Sequence, residues 1–377
     1  QVADRVLKIL IHFWLVAVLT SCVAFFICLP SVNAQQANIK FDRLTTEKTL
    51  TVKALSQNSI YCLLQDTQGF IWIGTWDGLN RYDGYDFIIY NTENGLSDPT
   101  VNTLCEDDEK NIWIGTDKGL NLLDRKAGNL RQFLNEPGNT NCISNDFVND
   151  VYQDKQGLLW ISTSFGLNCL DKGQMIYKFY NFFERNADSA LSNFISRVIE
   201  DQTGRLWIGT HAGIYCFNPE KQSFKDYRMI SDPSDVNFIR SNFVKDLIYD
   251  ENGNIYAATL DGIYIINPEK GIIHHMEHEG NEGSALSGNQ VNALLIDAKG
   301  VLWIGTNNGL DLYNPTLNII SHFKSGGSTT SLSNEDIRSI FQDQAGNIWI
   351  GTYKGLNKVD QSPSRFTPFQ NDPDDPN

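Results

Sequence analysis

The sequence predicts an all-β fold, a seven-bladed β-propeller of four-stranded antiparallel blades. Three observations predict it. A short string, written IWIGT at 71–75, recurs in seven variants along the chain. Its aromatic falls at Trp72, Trp113, Trp160, Trp207, Tyr256, Trp303 and Trp349, in steps of 41, 47, 47, 49, 47 and 46 residues. That period suits a four-stranded propeller blade. Within each copy apolar residues alternate with period two, and two turn signals interrupt them. Leucine-rich and helical repeats are thereby excluded.

Each copy divides into four strands. The first is an alternating run such as SIYCLL at 59–64. An acid follows, six residues before every aromatic: Asp66, Asp107, Asp154, Asp201, Asp250, Asp297 and Asp343. Three residues later stands Gly69, Gly157, Gly204, Gly253, Gly300 or Gly346. Asp accepts hydrogen bonds from its own turn, and Gly tolerates the positive φ that such a turn needs. The second copy has Lys110 in place of that Gly, so a different turn is expected there.

The IWIGT segment is the second strand. Trp72 and Gly74 share one face, Ile73 and Thr75 the other. A large ring beside a glycine suits close packing of neighbouring sheets. Two variable residues and a glycine (Gly78, Gly119, Gly166, Gly213, Gly262, Gly309, Gly355) make the next hairpin. The third strand reads LNRYD or IYIIN, and the fourth is an aromatic-bearing segment such as 86–90 or 130–134. One such sheet cannot stand alone, because both faces are apolar. Seven stacked around an axis bury both. Segments 39–50 and 364–377 each resemble a fourth strand. We expect 39–45 to close the ring, and 371–377 to begin a linker or a further repeat of a longer parent.

Bulk properties narrow the partners. The 377 residues are 41% hydrophobic and 20% charged, with a net charge of −15. The acid excess argues against nucleic acid or an anionic membrane surface as the main partner. Arg5, Lys8, the apolar run 9–29 and Val32-Asn33-Ala34 mark 1–34 as a secretory signal peptide or an N-terminal membrane anchor. That leaves 35–370 for the propeller. Cys62, Cys105, Cys142, Cys169 and Cys216 are odd in number and irregularly spaced, so no disulfide framework or metal cluster is expected. HHMEHE at 274–279 splits its ligands on a strand: His274, Met276 and His278 on one face, His275, Glu277 and Glu279 on the other. The turn aspartates lack the oxygen spacing of calcium loops. Neither metal nor cofactor is expected, and the chain has no kinase motif or P-loop.

Comparing the copies separates scaffold from candidate site. Positions alike in all copies are structural; variable positions on one face are where a ligand is read. The pairs after each Thr supply the candidates Trp76, Asp77, Asp117, Lys118, Phe165, His211, Asn307, Asn308, Tyr353 and Lys354. Exposed aromatics stack on sugar faces, and amides and charges bond hydroxyls. Ordinary hairpin tips, or contacts to a second propeller or dimer mate, are the competing reading. Polar loops at 135–146, 229–242 and 277–289 are expected to border the mouth of the channel.

The string D-x-x-G-x-[IL]-W-[IL]-G-T-x-x-G-[LI]-[ND] resembles the two-component regulator propeller repeat, found in periplasmic sensor regions of hybrid two-component systems. The resemblance covers about 41–369. It implies a parent with two such propellers, an immunoglobulin-like domain, a membrane helix and a histidine kinase. It further implies a periplasmic location, an oligosaccharide ligand, homodimerisation, membrane attachment through the parent chain, and no catalysis in this segment. Two other readings stay open. One is a secreted protein-docking scaffold. The other is a propeller lyase or glycosidase, which needs a convergent acid–base pair drawn from groups such as Asp77, Asp117, Asp261 and His211.

Overall fold

The computed structural model describes residues 39–44, 54–180, 193–221, 223–227, 242–278, 285–326, 328 and 330–359. The segment 1–34, nearly all of the loop 229–242, the centre of 277–289 and the stretch 364–377 lie outside the described residues. Among the described residues no helix is long and apolar enough to cross a membrane.

Seven four-stranded antiparallel sheets follow one another. The first comprises Ile60–Gln65, Ile71–Thr75, Gly78–Tyr82 and Phe87–Tyr90. The seventh contributes three strands, Ile337–Gln342, Ile348–Thr352 and Gly355–Val359. Its fourth place is taken by Asp42–Leu44, with Leu44 opposite Leu356. The ring therefore closes with the N-terminal strand, as expected. First strands of successive blades pack against one another all the way round, the seventh against the first. They line the axis, and the fourth strands lie outermost.

The repeated residues explain the blade. Asp66 Oδ1 accepts from the backbone N–H of Gln68 and Phe70, and Oδ2 accepts from Trp72 Nε1 at 2.8 Å. The same indole–carboxylate bond, at 2.8–2.9 Å, joins Trp113 to Asp107, Trp160 to Asp154, Trp207 to Asp201, Trp303 to Asp297 and Trp349 to Asp343. One carboxylate thus caps a turn and satisfies a buried indole, which apolar surroundings would otherwise penalise. The blade with Tyr256 has a weaker version, its hydroxyl 3.5 Å from Asp250.

Lys110 corrects one expectation. It takes φ 71° and bonds back to Asp107 at 2.9 Å, the same turn as its glycine counterparts. Asp107 and the buried Trp113 hold the turn, and the lysine backbone accepts the left-handed conformation.

The glycine of the second strand is needed for close approach. A Cβ on Gly74 would lie 2.7 Å from Val101 of the next blade, and one on Gly305 would lie 2.6 Å from Ile337. At the aspartate-turn end, side chains that end the first strands brace neighbours. Thr67 N–H donates to Glu106, Asp108 to Gln153, Lys155 to Glu200, Ala298 to Gln342 and Gln344 to Gln65. The two junctions flanking the Tyr256 blade end their first strands in Tyr249 and Ile296, whose side chains cannot make that bond as acceptor amide or carboxylate.

Candidate ligand-binding mouth

The end opposite the aspartate turns is built from the second hairpins and the loops that enter the first strands. Both are tied together by backbone bonds. Trp76 N–H donates to Ser59 O, Ser164 to Phe147 O, His211 to Phe194 O, Asn307 to Gln290 O and Tyr353 to Asp336 O. Gly78 N–H reaches the next blade at Pro99 O. Below them Asn80 accepts from Ser56 N–H at 2.9 Å, an arrangement repeated by Asn121, Asn168 and Asn357. Asp311 replaces that amide in the sixth blade and also binds His322 Nδ1 at 2.7 Å. This hydrogen bond raises the His322 pKa.

Every first strand carries a bulge at this end. Ile60 pairs with Thr75 and Cys62 with Gly74, so Tyr61 is skipped. The equivalent skipped residues are Asn102, Asn149, Ser196, Lys245, Asn292 and Arg338. A bulge frees one residue from the ladder and re-aims its side chain. Seven bulges on the axial strands therefore place a ring of seven side chains at the mouth, three of them Asn and the other four all different.

Two aromatic groups adjoin this ring. In the first, Arg338 lies 4.9 Å from the ring centres of both Tyr61 and Tyr353, and Tyr61 meets Trp76 edge-on at 6.4 Å. Trp76 and Tyr353, picked from sequence in the first and seventh blades, are thus brought together. In the second, His211 is stacked between Phe194 and Phe243, with centroids 3.7 and 3.6 Å away. Phe147 adjoins Phe194 at 6.3 Å. Burial first, and Lys245 second, push the His211 pKa down to about 3. At neutral pH it is an uncharged aromatic member of the stack, not a proton donor.

The other sequence candidates are placed differently. Phe165 is exposed and stacks on Phe179 of its own blade, outside both groups. Asp117 accepts from Asn102 at 2.9 Å. Lys118 pairs with Asp98 at 3.3 Å, and Asn308 donates to Ser287 O at 2.7 Å. Asp77, Asn307 and Lys354 expose their side chains. Among the described residues no three metal-ligating side chains gather. His275 Nε2 faces Asp261 O at 2.6 Å and stacks on Tyr264, while Met276 is core. Asp261 accepts from Tyr264 at 3.2 Å. Asp117, Asp261 and His211 thus each have separate engagements, and no hydrogen bond links them into an acid–base pair.

Sequence reasoning missed Tyr61, Phe147, Phe194, Phe243, Lys245 and Arg338. A signal existed: the residue after the first apolar position of each first strand runs Tyr, Asn, Asn, Ser, Lys, Asn, Arg, while the residue before it is always Ile or Val. Grooves also open between blades at the opposite end. One of about 500 Å³ is lined by Asp201, Arg205 and Asn267 among others. Those three side chains already bond within their own blades: Arg205 to Asp201, and Asn267 to Asn254.

Repeats described as "two component regulator propeller" match residues 54–77, 95–118, 142–165, 189–212, 285–308 and 331–354. The structure is similar to the extracellular domain assigned to the hybrid two-component system BT3049 from B. thetaiotaomicron. That similarity has a TM-score of 0.71 and 26% identity, over 86% of this chain and 42% of that one. A second extracellular domain from the same organism, assigned to the hybrid system BT4673, gives 0.67 and 25%, over 86% and 40%. Histidine kinase P4 of Formosa agariphila is 38% identical over 79 residues, which is 20% of this chain and 5% of that protein. The chain spans less than half the length of each of these proteins.

Proposed function

Because the chain belongs to the two-component regulator propeller repeat family, we propose that it is the ligand-sensing propeller of a hybrid two-component histidine kinase, facing the periplasm. Its ligand is an oligosaccharide, held at the mouth of the bulged first strands. Signalling runs through a change in propeller and dimer arrangement, passed to the kinase by the parent chain. Residues 1–34 serve as the secretion signal or anchor.

One observation supports the oligosaccharide reading most. A single backbone device repeats seven times at this mouth, yet presents five kinds of side chain, Asn in three blades and Tyr, Ser, Lys or Arg in the other four, flanked by exposed or half-buried rings. Rings with nearby amides and cations suit a polyol that has apolar faces and many hydroxyls. The extracellular placement of the similar structures is consistent with a soluble extracytoplasmic ligand.

The test is a binding screen of the full chain against oligosaccharides from plant, algal and host polysaccharides, with chromatography of each bound ligand afterwards. Binding without consumption is expected. Steady product release that stops in Asp77→Ala or Asp117→Ala would replace the sensor reading with a lyase or glycosidase. Failure to bind any glycan would remove the oligosaccharide.

A further inference from the structure

The seven bulged residues divide by what their side chains already do. Asn102, Asn149, Ser196 and Asn292 each donate to a carbonyl at the start of the next blade's first strand, at 2.7–3.1 Å. They brace blade junctions. Tyr61, Lys245 and Arg338 make no such bond. Arg338 pairs with Asp336 at 3.2 Å and lies against the rings of Tyr61 and Tyr353. Lys245 is different again. Its ammonium lies 5.1 Å from the centre of the Phe243 ring, and among the described residues it has no hydrogen-bond or ion-pair partner.

The chain has a net charge of −15, so a lysine lacks nothing in the way of carboxylates. Yet three carboxylates of this end are engaged elsewhere: Asp117 by Asn102, Asp98 by Lys118, Asp336 by Arg338 and Asn292. Burial, and then the positive charge of Arg338, lower the Lys245 pKa, with Asp336 opposing them. A half-buried cation without a counter-ion is costly. An anion brought by a ligand removes that cost.

We propose that the mouth selects an anionic oligosaccharide, one bearing a carboxylate or a sulfate, and that Lys245 is the residue that reads its charge. The inference rests on the oligosaccharide reading above and names the class within it. The row Phe147–Phe194–His211–Phe243 ends beside Lys245, so a sugar chain seated along it meets the exposed Phe147 ring at one end and brings an acidic substituent to Nζ at the other. Arg338 adds a second positive charge on the same mouth.

Calorimetric titration of the full chain tests it, with three oligosaccharide sets of matched length: uronic-acid-containing, sulfated and neutral. Lys245→Met keeps an apolar stem against Phe243 and removes the charge. Lys245→Arg keeps the charge. Thermal melting checks that both variants fold. An acidic set should bind about 10- to 100-fold tighter than the neutral one, the range of a hydrogen bond to a charged group. Lys245→Met should lose that preference and Lys245→Arg retain most of it. Added salt should weaken the wild type more than Lys245→Met. Whichever acidic set binds identifies the substituent. Neutral ligands binding as well as acidic ones overturn the inference and leave the oligosaccharide reading standing. So does acidic binding unchanged in a folded Lys245→Met. No binding by any set overturns both.

Discussion

The two ends of the propeller use repetition in opposite ways. At the aspartate-turn end, six copies share one bond from an indole to a carboxylate, and five junctions share one brace from the neighbouring first strand. At the mouth the backbone repeats as faithfully, with the same bulge in every blade, but the bulged side chains vary, Asn in three blades and Tyr, Ser, Lys or Arg in the others. Where all copies face the same packing problem, they converge on one residue. Where no common packing term acts, the residue is free to answer a junction or a ligand. The two ends should therefore respond differently to substitution, with stability lost at one and binding at the other.

The sharpest contrast comes from Trp207, fully buried in the fourth blade and bonded to Asp201 at 2.9 Å. Trp207→Ala leaves a cavity and removes one of the donors to the Asp201 carboxylate, so unfolding by urea should show a loss of about 3–5 kcal/mol. A loss below about 1 kcal/mol would break the comparison at its stable end. Next is Gly305→Ala. The added methyl meets Ile337 across a junction, and the cost should be about 1–3 kcal/mol by the same measurement.

The mouth has one stability effect of its own, and it depends on pH. The folded His211 pKa is about 3, against an ordinary 6.5, because of burial first and Lys245 second. Between those values the unfolded chain binds a proton that the folded chain refuses, so stability falls as pH drops through that window. At pH 5 the loss attributable to His211 should be about 1–2 kcal/mol after allowing for the exposed part of the ring. His211→Phe keeps the stack and should flatten the melting temperature between pH 7 and pH 5. An unchanged pH slope would place the acid sensitivity elsewhere.

Trp76→Ala and Tyr353→Ala remove exposed rings, so each should move stability by no more than about 0.5 kcal/mol. Each should still weaken glycan binding by about tenfold, as a stacking platform does. Unfolding of either variant would show that the mouth is not separable from the scaffold. The smallest effect is a gain. Lys110→Gly relieves a left-handed lysine, offset by the freer unfolded chain, for a net stabilisation of up to about 1 kcal/mol in melting experiments.

Much of this was legible without coordinates. Period, alternation and two turn signals located the blades, and the copy-to-copy comparison picked out Trp76, Tyr353 and His211, whose rings join the two aromatic groups beside the bulged first strands. Lys110 misled, because a turn was judged from one residue when Asp107 and Trp113 already dictate it. The indole bond to the turn aspartate was also missed. Its constant spacing of six residues was visible, but the meeting of the two side chains needs the hairpin geometry. Phe165 shows the converse limit: its hairpin position matches that of Trp76, yet its ring turns to Phe179 of its own blade.

What the sequence determined by itself is local. Hydrogen-bonding turns, strand alternation and the glycine that admits a neighbour act within a few residues, so they repeat wherever the string repeats. Only the tertiary structure decided what happens around the axis. Closure pairs Asp42–Leu44 with a strand that starts at Gly355, and the bulge turns the second residue of each first strand into the mouth. Closure joins segments that no single copy contains, and the bulge lies in a strand pairing that alternation along the chain does not reveal. That is why Lys245, one polar residue in an alternating strand when read along the chain, stands beside a stack of rings and within the field of Arg338 once the ring is closed.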